Sequence, residues 1–393
     1  MGKLINLDNL NLANKKVFLR VDFNVPIVNG EVTDELRIQA AEPTIRYLLD
    51  KDCAIILASH LGRPEGKPVE SLSLKPIAGI LSEILDRRVD FIDDCIGEKV
   101  QKKTDELIGG EILLLENLRF HAGEEANDPK FARQLANLAQ IYVDDAFAAI
   151  HRNHASIVGV AQLLPHAAGK LVEEEYQTLT KLLEDPPKPF SAVIGGAKVS
   201  TKIDVLDNLI DKVDSLVIGG AMANTFLTSL GHNMADSVVE QDCLTQAKEI
   251  YQKAVSGGLE VILPSDFLVA KEISQNVDTH LAELDEIKPG EKALDLGPKS
   301  SQQIAKVVDK SHSIFWNGTL GYAEIAKFAT ASLDLAHVMI ASEAETVIGG
   351  GDTAAFVDQY NLHSKFGFVS TGGGASLELL AGKKLPGIEM LKS

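Results

Sequence analysis

The sequence has very few cysteines. Its 393 residues include only three, Cys53, Cys95 and Cys243, which are isolated from one another. An odd number of isolated cysteines argues against a disulfide scaffold and is typical of a protein in a reducing cytoplasm. The spacing CxxC is absent, as are the cysteine–histidine spacings of zinc sites. The sequence pattern therefore predicts no zinc site of that kind.

Basic residues and long hydrophobic runs are also scarce. The 38 lysines and arginines are outnumbered by 56 acidic residues, which gives a net charge of −18. Such a chain is not expected to bind nucleic acid or a membrane surface, so an anionic ligand must be bound by a local cluster of cations. No run approaches the about 20 apolar residues of a membrane span, and the first ten residues lack the apolar core of a signal peptide.

The chain does contain a regular alternation of short apolar strands and helical patterns. This alternation is typical of parallel sheets covered by helices, and the length allows two domains. We therefore expect an α/β protein with two Rossmann-like lobes. The predicted strands are 16–25, 54–60, 111–120, 141–147, 191–196, 215–220, 260–270, 313–318 and 346–351.

A connecting helix is predicted between the lobes. Residues 169–190 have an amphipathic pattern that ends at a group of prolines, Pro186, Pro187 and Pro189, and proline stops a helix. The acidic run Glu173–Glu175 is expected to be a solvated first turn. The predicted lobes are then residues 1–168 and 191–379.

Polar side chains follow the strands of the first lobe. Functional groups of α/β proteins collect at this carboxyl edge, and guanidinium groups bind phosphate and carboxylate in forked pairs. The pattern predicts a site for a small polyanion, although surface ion pairs of little energetic value remain an alternative. The residues are Asp22, Asn24, His60, Arg63, Arg119, His121, Asp144, Asp145 and Arg152, with Arg37 in the loop-to-helix region after the first strand.

Three other polar residues of this lobe are expected to be structural. Arg20 falls in the middle of a strand pattern, which favours a structural ion pair. His151 and His154 have no third ligand nearby in sequence, so we expect them to form hydrogen bonds rather than to bind a metal.

Strands of the second lobe end in glycine. The runs are Gly195–Gly196, Gly219–Gly220 and Gly349–Gly351, and a helical pattern follows each one. A helix amino terminus suits phosphate, so three such runs predict a shared nucleotide site. Tight turns without a ligand are the alternative. Neither a P-loop nor a G-x-G-x-x-G motif is present.

Charged residues accompany these glycines. Lys198 and Lys202 are four residues apart, and on one helix face they could reach phosphates; two solvated lysines are the alternative. Asp352 is expected to bind Mg²⁺, unless it and Thr353 only cap the helix.

Two more segments of the second lobe suggest nucleotide chemistry. Glu324 ends a glycine-flanked loop and could accept a hydrogen bond from a ribose hydroxyl, although a surface acid is the alternative. Gly372 and Gly373 lie in a fourth glycine turn, whose N–H groups could meet a transferring phosphoryl group.

Seven motifs resemble the phosphoglycerate kinase family. They are RVDFNVP, SHLGRP, LRFHAGEE, DDAFAAIHRNHAS, GGAKVSTKI, GGGDTA and STGGGASLELL. They occur in the family's order and cover nearly the whole chain.

The resemblance implies a cytoplasmic, monomeric enzyme that transfers a phosphoryl group between 1,3-bisphosphoglycerate and ADP to give 3-phosphoglycerate and ATP, with Mg²⁺. It also implies that tail 380–393 packs on the first lobe. The implied phosphoglycerate ligands are Asp22, Asn24, Arg37, His60, Arg63, Arg119 and Arg152. The implied nucleotide ligands are Lys198, Lys202, Gly219, Gly220, Glu324, Gly350, Gly351, Asp352 and Thr353, with Asp352 at the metal. The implied catalytic groups are Arg37, Lys198, Gly372 and Gly373.

The sequence departs from the family pattern in two places. Thr319 and Ala323 replace a proline and a phenylalanine, which predicts a softer loop beside the nucleotide. Ala148 replaces a glycine, for which we expect little effect because Arg152 is retained.

The implied chemistry agrees with these residue types. A carboxylate acceptor is already ionised at neutral pH, so the site needs cations and backbone N–H groups rather than a general base. Because each lobe is expected to bind one reactant, we also expect the lobes to close about a hinge near 169–190. A different two-lobed phosphotransferase and a non-catalytic anion-binding protein remain alternatives at this point.

Overall fold

The structure is a computed structural model that describes residues 2–393. The chain forms two compact units: one contains the residues up to Gln177 together with Lys384–Ser393, and the other contains Thr178–Lys383. Each unit is built on a six-stranded parallel sheet. The predicted α/β fold with two Rossmann-like lobes is confirmed.

The sheet of the first unit has the order β5-β6-β4-β1-β7-β8, with all neighbours parallel. The short strands β2 and β3 form a separate antiparallel pair. The strands are β1 (Lys16–Arg20), β2 (Ile27–Val28), β3 (Glu31–Val32), β4 (Ala54–Ala58), β5 (Val89–Ile92), β6 (Ile112–Leu115), β7 (Ile141–Asp144) and β8 (His166–Ala168).

Helices cover both faces of this sheet, because apolar side chains point alternately to the two sides of each strand. Val17 and Leu19 of β1 belong to one core cluster, whereas Phe18 belongs to the other. The helices of this unit are α1 (Leu36–Ala40), α2 (Glu42–Leu49), α3 (Lys75–Leu85), α4 (Glu98–Glu106), α5 (Ala122–Glu125) and α6 (Pro129–Ala136), and the next helix, α7 (Lys170–Glu184), belongs in part to each unit. Shorter 3₁₀ helices include Leu118–Phe120 and Phe147–Ala149.

The sheet of the second unit has the order β11-β10-β9-β15-β16-β17, also parallel, and β13-β12-β14 form an antiparallel sheet. The strands are β9 (Phe190–Ile194), β10 (Ser215–Ile218), β11 (Glu260–Ile262), β12 (Asp266–Ala270), β13 (His280–Glu283), β14 (Lys292–Leu296), β15 (Ser313–Asn317), β16 (Glu345–Gly349) and β17 (Phe368–Val369). The helices are α8 (Ile203–Leu209), α9 (Gly220–Ser229), α10 (Leu244–Ser256), α11 (Pro298–Val308), α12 (Thr330–Ala341), α13 (Gly351–Gln359) and α14 (Gly374–Leu380).

One predicted strand is wrong. Residues 260–270 were expected to form a single strand, but the structure has β11 and β12 in different sheets. Pro264 lies between them, and proline has no N–H for a sheet ladder. The pattern of apolar residues continues across this break, so hydrophobicity alone does not reveal it.

The predicted helix at 169–190 is present as α7 and ends at Glu184, before the prolines. Its amino end is capped by Asp145, whose Oδ1 accepts hydrogen bonds from the N–H groups of Leu171 at 2.9 Å and Val172 at 3.4 Å. The expectation of a solvated acidic first turn is wrong for Glu175, which is fully buried, whereas Glu174 is exposed. Adjacent residues of a helix point in different directions, so one carboxylate of the run can face the core while its neighbour faces solvent.

The carboxyl-terminal segment contacts residues of the first unit. Its helix is α15 (Pro386–Leu391). The N–H of Gly387 donates to the carbonyl of Ile150 at 2.9 Å, and the carbonyl of Leu391 accepts from Ile5 at 2.8 Å. No helix within residues 2–393 is long and apolar enough to cross a membrane.

Candidate active site

The first unit presents its polar residues at the carboxyl ends of four neighbouring strands, β6, β4, β1 and β7. Parallel strands end at the same edge of a sheet, so side chains far apart in sequence meet there. We call Arg37, His60, Arg63, Arg119 and Arg152 the basic cluster. The sequence prediction placed four of them at this edge and Arg37 in the loop-to-helix region after the first strand, and the structure has Arg37 in α1.

Arg37 is anchored by the strand end that precedes it. Its NH1 donates to Oδ2 of Asp22 at 2.9 Å and to the carbonyl of Asn24 at 3.2 Å. Asn24 in turn accepts from the N–H of Gly62 at 2.9 Å. The Arg37 side chain is 31% exposed, whereas that of Asp22 is 7% exposed, so the acid orients the arginine while part of the arginine side chain stays open to solution.

His60 is buried among arginines. Its Nδ1 lies 3.2 Å from NH2 of Arg20, and its Nε2 lies 3.4 Å from NH1 of Arg152. Burial, reinforced by the charges of Arg20, Arg119 and Arg152, holds the pKa of His60 well below its usual range. His60 is therefore neutral at physiological pH and can accept a hydrogen bond at only one of its ring nitrogens. Its Nδ1 also lies 3.6 Å from Oδ1 of Asp22, which is an acceptor for a proton on that nitrogen.

The remaining arginines crowd one another. Burial and then the charge of Arg152 lower the pKa of Arg119 to about 10. Burial likewise lowers the pKa of Arg152, with Arg20 and Arg63 acting in the same direction and Asp22 opposing them. These arginines stay protonated at pH 7, so like charges lie close together in a partly buried region. A bound polyanion would relieve that repulsion.

Arg20 was expected to form a structural ion pair. Its role is structural, and it acts through hydrogen bonds. It is buried, and its guanidinium donates to Ser156 Oγ at 2.8 Å and to the carbonyl of Val21. Ser156 also donates, through its hydroxyl, to the buried Glu124 at 2.5 Å. His154 lies 3.8 Å from Glu124, and burial together with the arginines lowers its pKa to about 3. This buried network contacts the basic cluster through Arg20, which lies against His60.

Asn117 is a positioning residue that the sequence analysis did not single out. It is fully buried. Its Oδ1 accepts from the N–H groups of Leu61 at 3.2 Å and Arg119 at 3.0 Å, and its Nδ2 donates to the carbonyls of Leu61 at 2.7 Å and Leu72 at 2.9 Å. It therefore joins the loop of His60 and Arg63 to the backbone of Arg119. The available signal was an asparagine at the end of the apolar run EILLLEN, where a buried amide must find partners.

In the second unit, glycines are required mainly because the turns after neighbouring strands pack against one another, which leaves no room for a Cβ. A Cβ on Gly220, whose φ is +63°, would lie 2.6 Å from both the nitrogen and the oxygen of Gly196. Gly195 and Gly196 donate to the carbonyls of Asn317 and Thr319, each at 2.8 Å. The alternative of tight turns is thus part of the explanation, since backbone packs on backbone at the ends of β9, β10 and β15.

This packing determines which atoms of the predicted nucleotide ligands Gly219 and Gly220 are available to a nucleotide. The N–H of Gly219 donates to Ile194 at 2.9 Å, and that of Gly220 donates to Leu320 at 3.0 Å. Both amides are therefore already paired inside the protein. A nucleotide that meets these residues would contact their Cα atoms rather than their N–H groups.

The two lysines do not share a helix face, so that prediction is wrong. Helix α8 begins at Ile203, and residues 197–202 form turns before it. Lys198 is exposed, whereas Lys202 is buried and its Nζ donates to the carbonyls of Gly195 at 2.7 Å and Asn317 at 3.2 Å. Burial lowers the pKa of Lys202 to about 8, with Asp352 opposing the shift. A compact loop follows the turn of Gly195 and Gly196, so helix α8 begins only at Ile203.

Asp352 does not cap its helix. The N-cap of α13 is Gly350, with a φ of +89°, and Asp352 lies exposed in the first turn. The Thr353 hydroxyl is buried and accepts from the N–H of Gly318 at 2.6 Å. One exposed carboxylate beside free first-turn N–H groups suits Mg²⁺ that also keeps phosphate oxygens and waters as ligands.

The loop after β15 has local bonds where the family pattern has proline. The Thr319 hydroxyl donates to the carbonyl of Gly321 at 3.0 Å, and the Trp316 ring N–H donates to the carbonyl of Gly318 at 2.7 Å. Ala323 is buried and Glu324 is exposed. These hydrogen bonds brace the loop that was expected to be softer.

The fourth glycine turn leads into α14. Gly372 donates to Ser370 Oγ at 3.1 Å, and Gly373, with a φ of +53°, is the N-cap of the helix. A Cβ on Gly373 would meet nothing within 4 Å. Space above this turn is therefore open to a ligand, unlike the space above Gly220.

The whole chain is similar to known proteins of one family. The sequence profile of the family described as phosphoglycerate kinase matches residues 7–383. A phosphoglycerate kinase of Moorella thermoacetica is 49% identical over 391 residues, covering 100% of this chain and 99% of that protein. One from a Chelativorans species is 47% identical over 397 residues and covers 100% of both.

Solved structures of the same description are also similar. The phosphoglycerate kinase from Coxiella burnetii superposes with a TM-score of 0.90 at 40% identity and covers 99% of both chains. The one from Pyrococcus horikoshii gives a TM-score of 0.88 at 30% identity, covering 99% of this chain and 98% of that chain.

Proposed function

This chain belongs to the phosphoglycerate kinase family, and on that premise we propose which of its residues carry out the reaction. It is an enzyme that transfers a phosphoryl group reversibly between 1,3-bisphosphoglycerate and ADP, giving 3-phosphoglycerate and ATP, with Mg²⁺ accompanying the nucleotide. The two alternatives left open by the residues alone, another phosphotransferase and a non-catalytic protein, are therefore set aside.

We propose that the basic cluster of the first unit binds the phosphoglycerate. The observation that carries this proposal is the concentration of Arg63, Arg119 and Arg152 at one strand edge, with mutual repulsion that a polyanion would relieve. His60 contributes a neutral hydrogen bond, while Asp22 and Asn24 orient Arg37. Asp22 and Asn24 can also accept from the hydroxyl of the substrate.

We propose that the second unit binds the nucleotide. Lys202 is already directed into the turn after β9 and Lys198 is free to reach outward. The first turn of α13, from Gly350 to Thr353, offers backbone N–H groups to phosphate oxygens. Gly219 and Gly220 would pack against the nucleotide through Cα, and Glu324 would accept from a ribose hydroxyl.

Asp352 is the residue that would hold Mg²⁺ among the described residues of this unit. The ion supplies neutralisation of phosphate charge when it is bound. Lys202 lies close enough for its pKa to respond to Asp352, so the carboxylate and the ammonium can act on the same phosphate chain.

The transfer itself needs placement and charge. In the ATP-forming direction, the bond from phosphorus to the carboxyl oxygen breaks and a bond from phosphorus to the terminal oxygen of ADP forms. The leaving carboxylate needs no proton at neutral pH. We propose that Arg37, Lys198 and the turn of Gly372 and Gly373 surround the transferring phosphoryl group, where its charge is most spread. The turn would contribute the first N–H groups of α14, since the Gly372 N–H donates to Ser370.

We also propose that the two units approach each other when both substrates are bound, with residues 169–190 as the hinge region. Each unit supplies ligands for one reactant, and in-line transfer needs reacting atoms about 3–3.5 Å apart. Solution X-ray scattering tests the idea: the radius of gyration should fall most when 3-phosphoglycerate and a nucleotide analogue are added together. Identical curves in all ligand states would exclude closure.

We further propose that the enzyme acts as a monomer in the cytoplasm. One chain carries both groups of ligands, and its three cysteines are free, as in a reducing compartment. Sedimentation equilibrium at increasing protein concentration should give the mass of one chain, 42.3 kDa.

The assignment of the basic cluster is tested by a coupled assay with 3-phosphoglycerate and MgATP. Arg63→Ala and Arg152→Ala should raise the KM for 3-phosphoglycerate at least tenfold and leave the KM for MgATP within about twofold. Equal effects on both substrates would show that the cluster does not select the phosphoglycerate.

A further inference from the structure

A group of metal-ligating side chains lies in the first unit outside the residues assigned to the reaction. Asp94 and Cys95 follow β5, and His121 follows the 3₁₀ helix after β6, the neighbouring strand. Their ligand atoms all lie within 4.8 Å of one another, and they are the one group of this kind among residues 2–393. His121 Nε2 lies 2.7 Å from Oδ1 of Asp94.

These three side chains are the ligand types that zinc prefers. Zn²⁺ binds thiolate at about 2.3 Å, imidazole at about 2.0–2.1 Å and carboxylate at about 2.0–2.2 Å, in a tetrahedron. Ligand atoms around such an ion are then separated by roughly 3.3–3.8 Å. The separation of 2.7 Å between His121 Nε2 and Asp94 Oδ1 is shorter than that range, and the largest separation does not exceed 4.8 Å, so the side chains must shift to surround an ion. The sequence pattern missed it because Cys95 and His121 are far apart along the chain.

We propose that Asp94, Cys95 and His121 bind one Zn²⁺ ion, with water as the fourth ligand. Asp94 is 45% exposed and His121 is 32% exposed, so an ion can enter from solution, whereas Cys95 is buried and provides the inner ligand. This site is separate from the Mg²⁺ of the nucleotide and does not depend on the roles proposed above.

The charges around Cys95 favour a cation. Burial raises the pKa of its thiol well above the usual range, and the carboxylates of Asp94, Glu124 and Glu116 act in the same direction. On binding, a Zn–S bond forms and the thiol proton leaves to solvent, so the thiolate charge is compensated by the metal.

The ion would replace the hydrogen bond between His121 Nε2 and Asp94 Oδ1 as the link between these two segments. His121 lies two residues beyond Arg119 of the basic cluster, and the other two ligands lie on the loop after β5. A ligand that binds only the folded state stabilises that state. We therefore expect zinc to raise the melting temperature.

Cobalt(II) serves as a spectroscopic probe of the same ligand set. Metal-free full-length protein titrated with Co²⁺ should develop a thiolate-to-cobalt absorption band at one equivalent, and Zn²⁺ should abolish the band by displacement. Cys95→Ser should remove the band. Cys53→Ser and Cys243→Ser, at the two other buried free cysteines, are matched controls and should keep it.

His121→Gln and Asp94→Asn provide a second test that does not alter the thiol. Each should weaken Co²⁺ and Zn²⁺ binding at least tenfold by calorimetry and should shrink the zinc-dependent rise in melting temperature. The proposal is overturned if no thiolate band forms, if the band survives Cys95→Ser, or if both of these variants bind metal like the unaltered protein.

Discussion

The ammonium group of Lys202 donates a hydrogen bond of 2.7 Å to the carbonyl oxygen of Gly195, inside the turn that follows β9. A second carbonyl, that of Asn317, accepts from it at 3.2 Å. A lysine so enclosed loses hydration, which is why its pKa falls to about 8. The same turn holds the cation at the strand edge where a phosphate chain is proposed to lie.

Lys202 should make the stability of the protein depend on pH. The unfolded chain keeps the lysine protonated up to its ordinary pKa of 10.5, whereas the folded protein, with a pKa of about 8, releases the proton earlier. The cost of the buried charge is therefore fully present below pH 8 and is relieved as the pH rises towards 10.5. The free energy of unfolding, relative to Lys202→Met, should rise by at most about 3 kcal/mol across that interval.

Denaturant unfolding of the unaltered protein and Lys202→Met at several pH values, from about 7 up to the ordinary lysine pKa of 10.5, measures that difference. Lys198→Met, at an exposed lysine of the same loop, is the matched control. A difference that does not change with pH would show that Lys202 is hydrated in solution.

Arg37→Ala should lower kcat at least a hundredfold while changing stability little. A guanidinium at the transferring group acts chiefly in the transition state, and loss of one such donor costs about 2.7–4 kcal/mol of activation free energy. Its partly exposed ion pair with Asp22 contributes at most about 1 kcal/mol to folding. The control is Arg46→Ala, whose ion pair with Glu42 lies on the exposed surface of α2. A kcat within a few-fold of the unaltered enzyme would remove Arg37 from the catalytic set.

Asp352→Asn should raise the Mg²⁺ concentration needed for half-maximal activity and should lower turnover. The amide keeps the size of the side chain but loses the charge that a hard cation requires. Asp358→Asn, on the same helix and also exposed, should leave the magnesium titration unchanged. If both variants titrate alike, Mg²⁺ is held by the phosphates and water alone.

Gly220→Ala should destabilise the second unit by about 1–3 kcal/mol or more. The new Cβ would lie 2.6 Å from backbone atoms of Gly196, at a positive φ that alanine adopts poorly. Gly351→Ala is the control, because a Cβ there meets nothing within 4 Å and the residue begins α13. Thermal unfolding of both variants measures the difference, and equal melting temperatures would contradict the backbone-packing explanation.

Asn117→Ala should raise the KM for 3-phosphoglycerate about tenfold or more, without a matching change in the KM for MgATP. Removing the amide leaves the backbone groups of Leu61 and Arg119 without their partner, which lets the two basic segments separate. Asn117→Asp restores the acceptor but not the donor, so it should recover part of the binding. Loss of stability with unchanged KM values would make Asn117 a folding residue only.

The α/β architecture, most of the central strands, and the polar and glycine-rich strand ends could be predicted from the sequence alone, because hydrophobic periodicity and strand-end polarity are local properties of the chain. The arginines of the basic cluster could be predicted for this reason, and so could the glycines at the ends of β9, β10 and β16.

The contacts that these residues make depend on the folded protein. Lys202 is buried because turns from neighbouring strands close around it, and no spacing along the chain reveals that. Gly220 is required because the backbone of Gly196 leaves no room for a Cβ, whereas a Cβ on Gly351 or Gly373 would meet nothing within 4 Å. Asn117 joins two loops, and Cys95 meets His121 across neighbouring strands. These contacts join segments that are distant in sequence, and it is the pairing of parallel strands that brings the partners together.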